Sequence, residues 1–177
     1  VFREILEQNP NLEIVMVSRG FLKDVFEGIP RLTFKGVNVE EYKGYFGLTK
    51  LAKELEAEFK PNYIADLHQV IRSKILNFYF KRKGYSVFNL DKGKEEKKEL
   101  TDVNNIDKKQ LKLTTERYAD VFRKMGFSIE LSHQLRPISE VKEGVGFAPF
   151  AQHEGKIMPE DKAFELASLI AKTKKVY

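Results

Sequence analysis

The chain contains no cysteine, which excludes a disulfide framework and any thiolate-based metal site, and fits a reducing compartment. Long hydrophobic runs are missing too. The longest apolar stretches, at 14–17 and 145–150, fall far short of the roughly 20 residues that a bilayer-spanning helix needs. No secretory leader pattern opens the chain, which starts in mid-amphipathic pattern at Val1-Phe2-Arg3-Glu4. No G-x-G-x-x-G follows any strand-like run, so the dinucleotide-binding fingerprint is absent. What is present, 42% hydrophobic and 32% charged over 177 residues, suits a globular chain that buries one core, or one domain with part of another.

The charge is unevenly placed. The net formal charge is +5, but residues 1–68 are slightly acidic, residues 125–177 are balanced, and all of the excess lies within 69–124. A concentrated positive field favours an anionic partner, and a set of solvated lysine-rich helix faces would look the same in sequence.

Helical and strand-like periods alternate with short connections, which predicts an α/β layered fold with a mainly parallel sheet. Residues 1–8 read as the end of a helix stopped by Asn9-Pro10-Asn11, and 12–18 as a buried strand. A short helix at 21–27 and a strand at 31–37 follow. Then come a helix at 48–59, a strand at 63–68, a helix at 70–83, a strand at 85–91 and a charged helix at 92–100. Residues 102–113 read as a loop. The spacing of Tyr118, Val121, Phe122 and Met125 predicts a helix over 114–125, capped by a threonine and ended by Gly126. The expected divisions are a first domain at 1–129, a linker at 130–144 and the start of a second domain at 145–177. The last opens with a strand at 145–150, a loop at 151–158, a helix from Pro159 with Glu160 and Asp161 in its first turn, and a further strand from Lys174.

Ligands of open α/β sheets bind beyond the carboxyl ends of the strands, and three segments put polar groups there. The loop holding Ala151, Gln152, His153 and Lys156 lies between a predicted strand and a helix start, a setting suited to a phosphate. It is not a Walker A loop, because Phe150 and Ile157 replace the required glycine and hydroxyl residue. Asp66, His68 and Arg72 form the second segment. Arg72 sits in a first helical turn, where a cation opposes the macrodipole unless an anion or a carboxylate such as Asp66 holds it. Arg117, at the border of the apolar stripe of its helix, is the third, with an Arg117–Asp120 pair as the plainer alternative.

Taken in order, the strings Asp66-Leu67-His68 with Arg72-Ser73, Asp91-Lys92-Gly93-Lys94-Glu95-Glu96-Lys97-Lys98, Glu116-Arg117-Tyr118-Ala119-Asp120-Val121-Phe122 and Ala148-Pro149-Phe150-Ala151 with His153-Glu154-Gly155-Lys156 and Pro159 resemble the ADP-heptose:lipopolysaccharide heptosyltransferases, particularly Bacteroides-type members. The resemblance spans essentially the whole chain. It implies two Rossmann-like domains facing across a cleft (the GT-B arrangement), and inverting, metal-independent transfer of a heptose-type sugar without a cofactor. The donor would be a nucleotide-diphospho-sugar such as ADP-heptose, and the acceptor an anionic glycolipid core. By the same resemblance, Ala151, Gln152, His153 and Lys156 would line the donor site, and Asp66, His68, Arg72 and Arg117 the acceptor site. The family's opening strand, with the Gly-Asp loop that supplies its proposed catalytic Asp, is expected ahead of Val1, and its nucleotide-binding segments after Tyr177. The expectation is therefore a domain pair incomplete at both ends, with no catalytic residue within 1–177. The implied location is the cytoplasm, with peripheral association at the inner face of the inner membrane. Two rivals stand beside it: another Rossmann-type sugar-nucleotide enzyme such as an epimerase, and a non-catalytic α/β module that takes anionic ligands. A nucleic-acid partner is not expected, because the basic region carries no recognition module.

Overall fold

The computed structural model describes residues 1–134 and 143–177, which fall into two compact units, Val1–Ser132 and His133–Tyr177. Most of the linker expected at 130–144 lies outside the described residues. The architecture is mixed α/β with short parallel sheets. The first unit runs α1 (Phe2–Gln8), β1 (Ile14–Arg19), α2 (Lys23–Phe26), β2 (Leu32–Val37), α3 (Gly44–Phe59), β3 (Tyr63–Asp66), α4 (Ile71–Arg82), β4 (Ser86–Asn89), α5 (Lys94–Thr101) and α6 (Thr114–Lys124). Its strands form two separate parallel pairs, β1 with β2 and β3 with β4, with Ile14 opposite Leu32 and Tyr63 opposite Ser86.

Two apolar clusters hold the unit together. In the first, Ile5 and Leu6 of α1 meet Ala119 and Phe122 of α6 and Ile129, and Ile14 and Leu32 pack against them from the strands. An aromatic chain links the same face: Phe2 meets both Phe26 and Phe122 edge-on, and Phe26 stacks on Phe34. In the second cluster, Leu51, Ala52 and Leu55 of α3 meet Phe80 of α4, and Val37, Ile64 and Val87 pack against them from three strands. The i, i+3, i+4 and i+7 spacing of Leu48, Leu51, Ala52 and Leu55 is what lays α3 down on this face. A polar tie reinforces the α3–α4 contact. The Glu56 carboxylate accepts from the Tyr79 hydroxyl and pushes that phenol up to about 12.

Helix ends explain several boundaries. Arg31 donates to the carbonyls of Leu6, Asn9, Pro10 and Leu12, and so covers the carboxyl end of α1. Helix α6 ends in a paired turn in which the Gly126 N–H bonds Arg123 O and the Phe127 N–H bonds Phe122 O. Gly126 has φ +93°, which favours the residue without a Cβ. At the other end of α6 the threonine cap is a correction. The helix begins at Thr114, as expected, so Leu113 is the cap residue and no side chain bonds there. Thr114 is already inside the helix, where its hydroxyl cannot take the capping position.

The second unit holds α7 (Glu160–Ala171), led by Pro159. The strand expected at 145–150 is reduced to a single parallel bridge, Val145 with Val176, extended by the Phe147 N–H to Tyr177 O bond. Pro149 has no N–H to continue a ladder, so pairing stops short of it. Among the described residues, no helix is long and apolar enough to cross a membrane.

Phe122 is 4% exposed and touches both α1 and the aromatic chain, so Phe122→Ala should lower stability by about 3–5 kcal/mol. A urea titration should show the midpoint falling with the slope unchanged. A shift within error of zero would mean that α1 and α6 do not share a core.

Candidate functional site

The carboxyl ends of β3 and β4 carry a polar network built on one buried carboxylate. Asp66, the last residue of β3, is 5% exposed. Its Oδ1 accepts from the N–H groups of His68 (2.9 Å) and Gln69 (2.8 Å), and its Oδ2 from the side-chain amides of Gln69 (2.8 Å) and Asn77 (2.7 Å). The same two amides reach Asn89 Oδ1, at the end of β4, at 2.6 and 3.2 Å. The Leu90 N–H bonds the Asp66 carbonyl and completes the tie between the strands. Burial alone would raise the Asp66 carboxyl, but these donors outweigh it and hold the group below the usual aspartate range. The network also keeps Gln69 in a left-handed conformation at φ +51°, an unfavourable geometry for a residue with a side chain. That turn sets the start of α4.

Beyond the network lies an open cleft of about 360 Å³, bounded by Gln69 and Lys74 on one side and Leu90 through Glu96 on the other. Lys74 of α4 and the first three residues of α5, Lys94, Glu95 and Glu96, are among its lining residues. Three lysines line it. Lys92 Nζ donates to the Gln69 carbonyl (3.2 Å), and Lys74 and Lys94 carry no ion pair among the described residues. Of the three acidic residues of the rim, Glu96 and Asp91 lie 2.6 and 3.8 Å from the guanidinium of Arg117, and Glu95 has no ion pair among the described residues. The cleft therefore sets three lysine cations beside three carboxylates, two of them held by Arg117.

Arg117 packs against Gly93, in the turn that lines this cleft. It is 5% exposed, and its guanidinium presses against Gly93 so closely that a Cβ there would lie 2.4 Å from Nη2. Gly93 also has φ +60°, so the backbone favours glycine at the turn into α5, and a side chain there would have to push the guanidinium aside. The Arg117–Asp120 pair weighed from the sequence does not form: Asp120 binds Lys112 and Arg123, and Arg117 turns to α5.

The other residues singled out in the sequence fall in different places. Asp66 is the hub, and His68 contributes its backbone N–H while its side chain is exposed. Arg72, in the first turn of α4, is exposed and forms no ion pair with Asp66, whose oxygens are taken by amides. Arg72 and Arg117 do not meet in a shared contact: one is at the surface, the other buried against Glu96. In the second unit, Ala151, Gln152, His153 and Lys156 are all exposed. Lys156 closes a short turn through its N–H to His153 O (2.9 Å), three residues before Pro159 leads α7. The sequence reading passed over Gln69, Asn77, Asn89, Lys74 and Lys92. Asn77 had a usable signal, since it shares the buried face of α4 with Phe80, and a buried amide needs a partner. Among the described residues no group of acidic or histidine side chains is arranged to hold a metal ion.

Comparison with family models, curated proteins and solved structures finds no match for this chain.

Asp66→Asn tests the network. An amide cannot accept from four donors as a carboxylate does, and the loss of a buried, charge-assisted set should cost about 2–3 kcal/mol at pH 7. Because folding lowers the Asp66 pKa, the carboxylate's stabilisation is present above the ordinary value of 3.8 and is lost as pH falls through the lower folded value. The gap between wild type and variant should therefore narrow in denaturant titrations below about pH 4. A gap that is constant with pH would show that the ionised form has no special role.

Proposed function

We propose that the first unit is the acceptor-binding part of a glycosyltransferase. The enzyme would move a heptose-type sugar from a nucleotide-diphospho-sugar to a hydroxyl of a phosphate-bearing lipopolysaccharide core. The observation that carries this reading is the cleft beyond β3 and β4, rimmed by Lys74, Lys92 and Lys94. The ordered resemblance of the whole chain to heptosyltransferases supplies the sugar class and the GT-B, Rossmann-like arrangement. In the reaction so inferred, the acceptor hydroxyl attacks the anomeric carbon, its proton passes to a base, and the nucleoside diphosphate departs with inversion.

Asp66 is not that base. Its oxygens accept four hydrogen bonds and its pKa is lowered, so it holds the site rather than taking a proton. The proposed role of the first unit is to seat the acceptor's phosphate against the lysine rim, which places the hydroxyl for attack. Lys156, exposed beside the start of α7, suits the donor diphosphate, where a cation and helix N–H groups stabilise the leaving group. A cytoplasmic protein at the inner face of the inner membrane fits an acceptor of this kind.

The test compares a phosphorylated lipopolysaccharide core oligosaccharide with its dephosphorylated counterpart by calorimetry. The phosphorylated form should bind more tightly, and the Lys74→Ala, Lys92→Ala double variant should lose about tenfold or more of that affinity while barely changing the stripped form. Equal binding of the two oligosaccharides would reject the acceptor assignment.

A further inference from the structure

The cleft carries no surplus charge of its own. Its lining sets Lys74, Lys92 and Lys94 against Asp91, Glu95 and Glu96, three cations against three carboxylates. A lining balanced in this way exerts no net pull on a phosphate, and its carboxylates repel one. The charge that breaks the balance comes from outside the lining. Arg117 belongs to α6, which Ala119 and Phe122 anchor in the first apolar cluster, and its side chain crosses to the start of α5.

The two prongs of this guanidinium reach different carboxylates. Nη2 donates to Glu96 Oε2 at 2.6 Å, and Nη1 lies 3.8 Å from Asp91 Oδ2. The other Asp91 oxygen accepts from the Gly93 N–H at 2.8 Å, in the turn that leads into α5. A planar fork can serve two carboxylates at once, whereas an ammonium is a single point charge. The Glu96 and Asp91 side chains keep their water, at 47% and 69% exposed, while Arg117 is buried. A solvated carboxylate is charged at neutral pH. Without the guanidinium, both would act at full strength on whatever the cleft holds.

We propose that Arg117 sets the preference of this cleft for anions: without touching the ligand, it holds Glu96 and Asp91 and leaves the lysines with one charge in surplus. The inference rests on the reading of the cleft as a phosphate seat. It gives Arg117 a positioning role in place of the direct acceptor contact that the family resemblance implies. A buried guanidinium does not present its fork to a ligand, but its field crosses the turn that it packs against. That turn is thinner than the screening length of roughly 8 Å at physiological salt.

The test titrates inorganic phosphate into the whole labelled chain and reads the backbone amide shifts of Gln69 and residues 92–95. Arg117→Met keeps an unbranched side chain against Gly93 and removes the charge. Phosphate affinity at the cleft should then fall about fivefold or more. Adding Glu96→Gln to that variant removes a released carboxylate, and affinity should return to within about twofold of wild type. Glu96→Gln alone changes an exposed position, so it carries the test should Arg117→Met not fold. It should tighten binding by about threefold or more. These differences should shrink in about 1 M sodium chloride, where the screening length is roughly 3 Å. A loss in Arg117→Met that Glu96→Gln does not recover would show that Arg117 only keeps the turn in shape, and would overturn the proposal. Unchanged affinity in either single variant would overturn it as well. A wild-type chain that takes no phosphate at the cleft would sink the phosphate-seat reading and this inference with it, whereas the other adverse outcomes sink the inference alone.

Discussion

A buried carboxylate at the end of a strand must be fully hydrogen-bonded or it will not stay ionised, and Asp66 meets that constraint with two backbone and two side-chain donors. Much of the local architecture follows. The two backbone donors shape the tight turn after β3, in which Gln69 takes a left-handed conformation just before α4. The two side-chain donors reach on to Asn89 and fix the end of β4 beside the end of β3. Lys92 then hangs from the Gln69 carbonyl and places a cation on the rim. A site built this way is organised before any ligand arrives, which lowers the cost of binding.

The electrostatics of the basic region divide into two groups. Several of its cations are consumed by structure: Arg117 by Glu96 and Asp91, Arg123 by Glu116 and Asp120, and Lys112 by Asp120. Burial would raise the Asp120 carboxyl, but the Lys112 and Arg123 bonds outweigh it and lower it. The lysines at the cleft are not consumed in this way. The uneven charge of the sequence therefore has two parts: structural pairs gathered on α6, and cations without an ion pair among the described residues, of which Lys74, Lys92 and Lys94 line the cleft.

In the first unit, local signals in the sequence were sufficient for element type and order. The apolar spacing of α3 and α6 and the glycine that ends α6 depend on neighbours within a few residues, and these are visible in a linear reading. What depended on distant partners was hidden. Arg117 pairs with a carboxylate 21 positions away, and a sequence reading naturally offered Asp120 because it lies one turn along the same helix. The division of the strands into two pairs depends on which edges meet, and no periodicity records that. The strand expected at 145–150 failed because apolar content signals burial, whereas a ladder needs donors, and Pro149 supplies none. Within the site, Asp66 was visible as a charge at a strand end, but its role as the hub was not, since its side-chain amide partners come from the following turn and from α4, and they reach on to β4.

Whether the lysine-rimmed cleft held by the Asp66 network takes an anion can be read by titrating inorganic phosphate into the isotopically labelled chain and following backbone amide shifts. Saturable changes are expected at Gln69, Lys74 and the amides of 92–95, with the rest of the basic region unmoved. Changes spread evenly over Lys97, Lys98, Lys108, Lys109 and Lys112, with none at the cleft, would show instead that the positive charge is only a solvated surface.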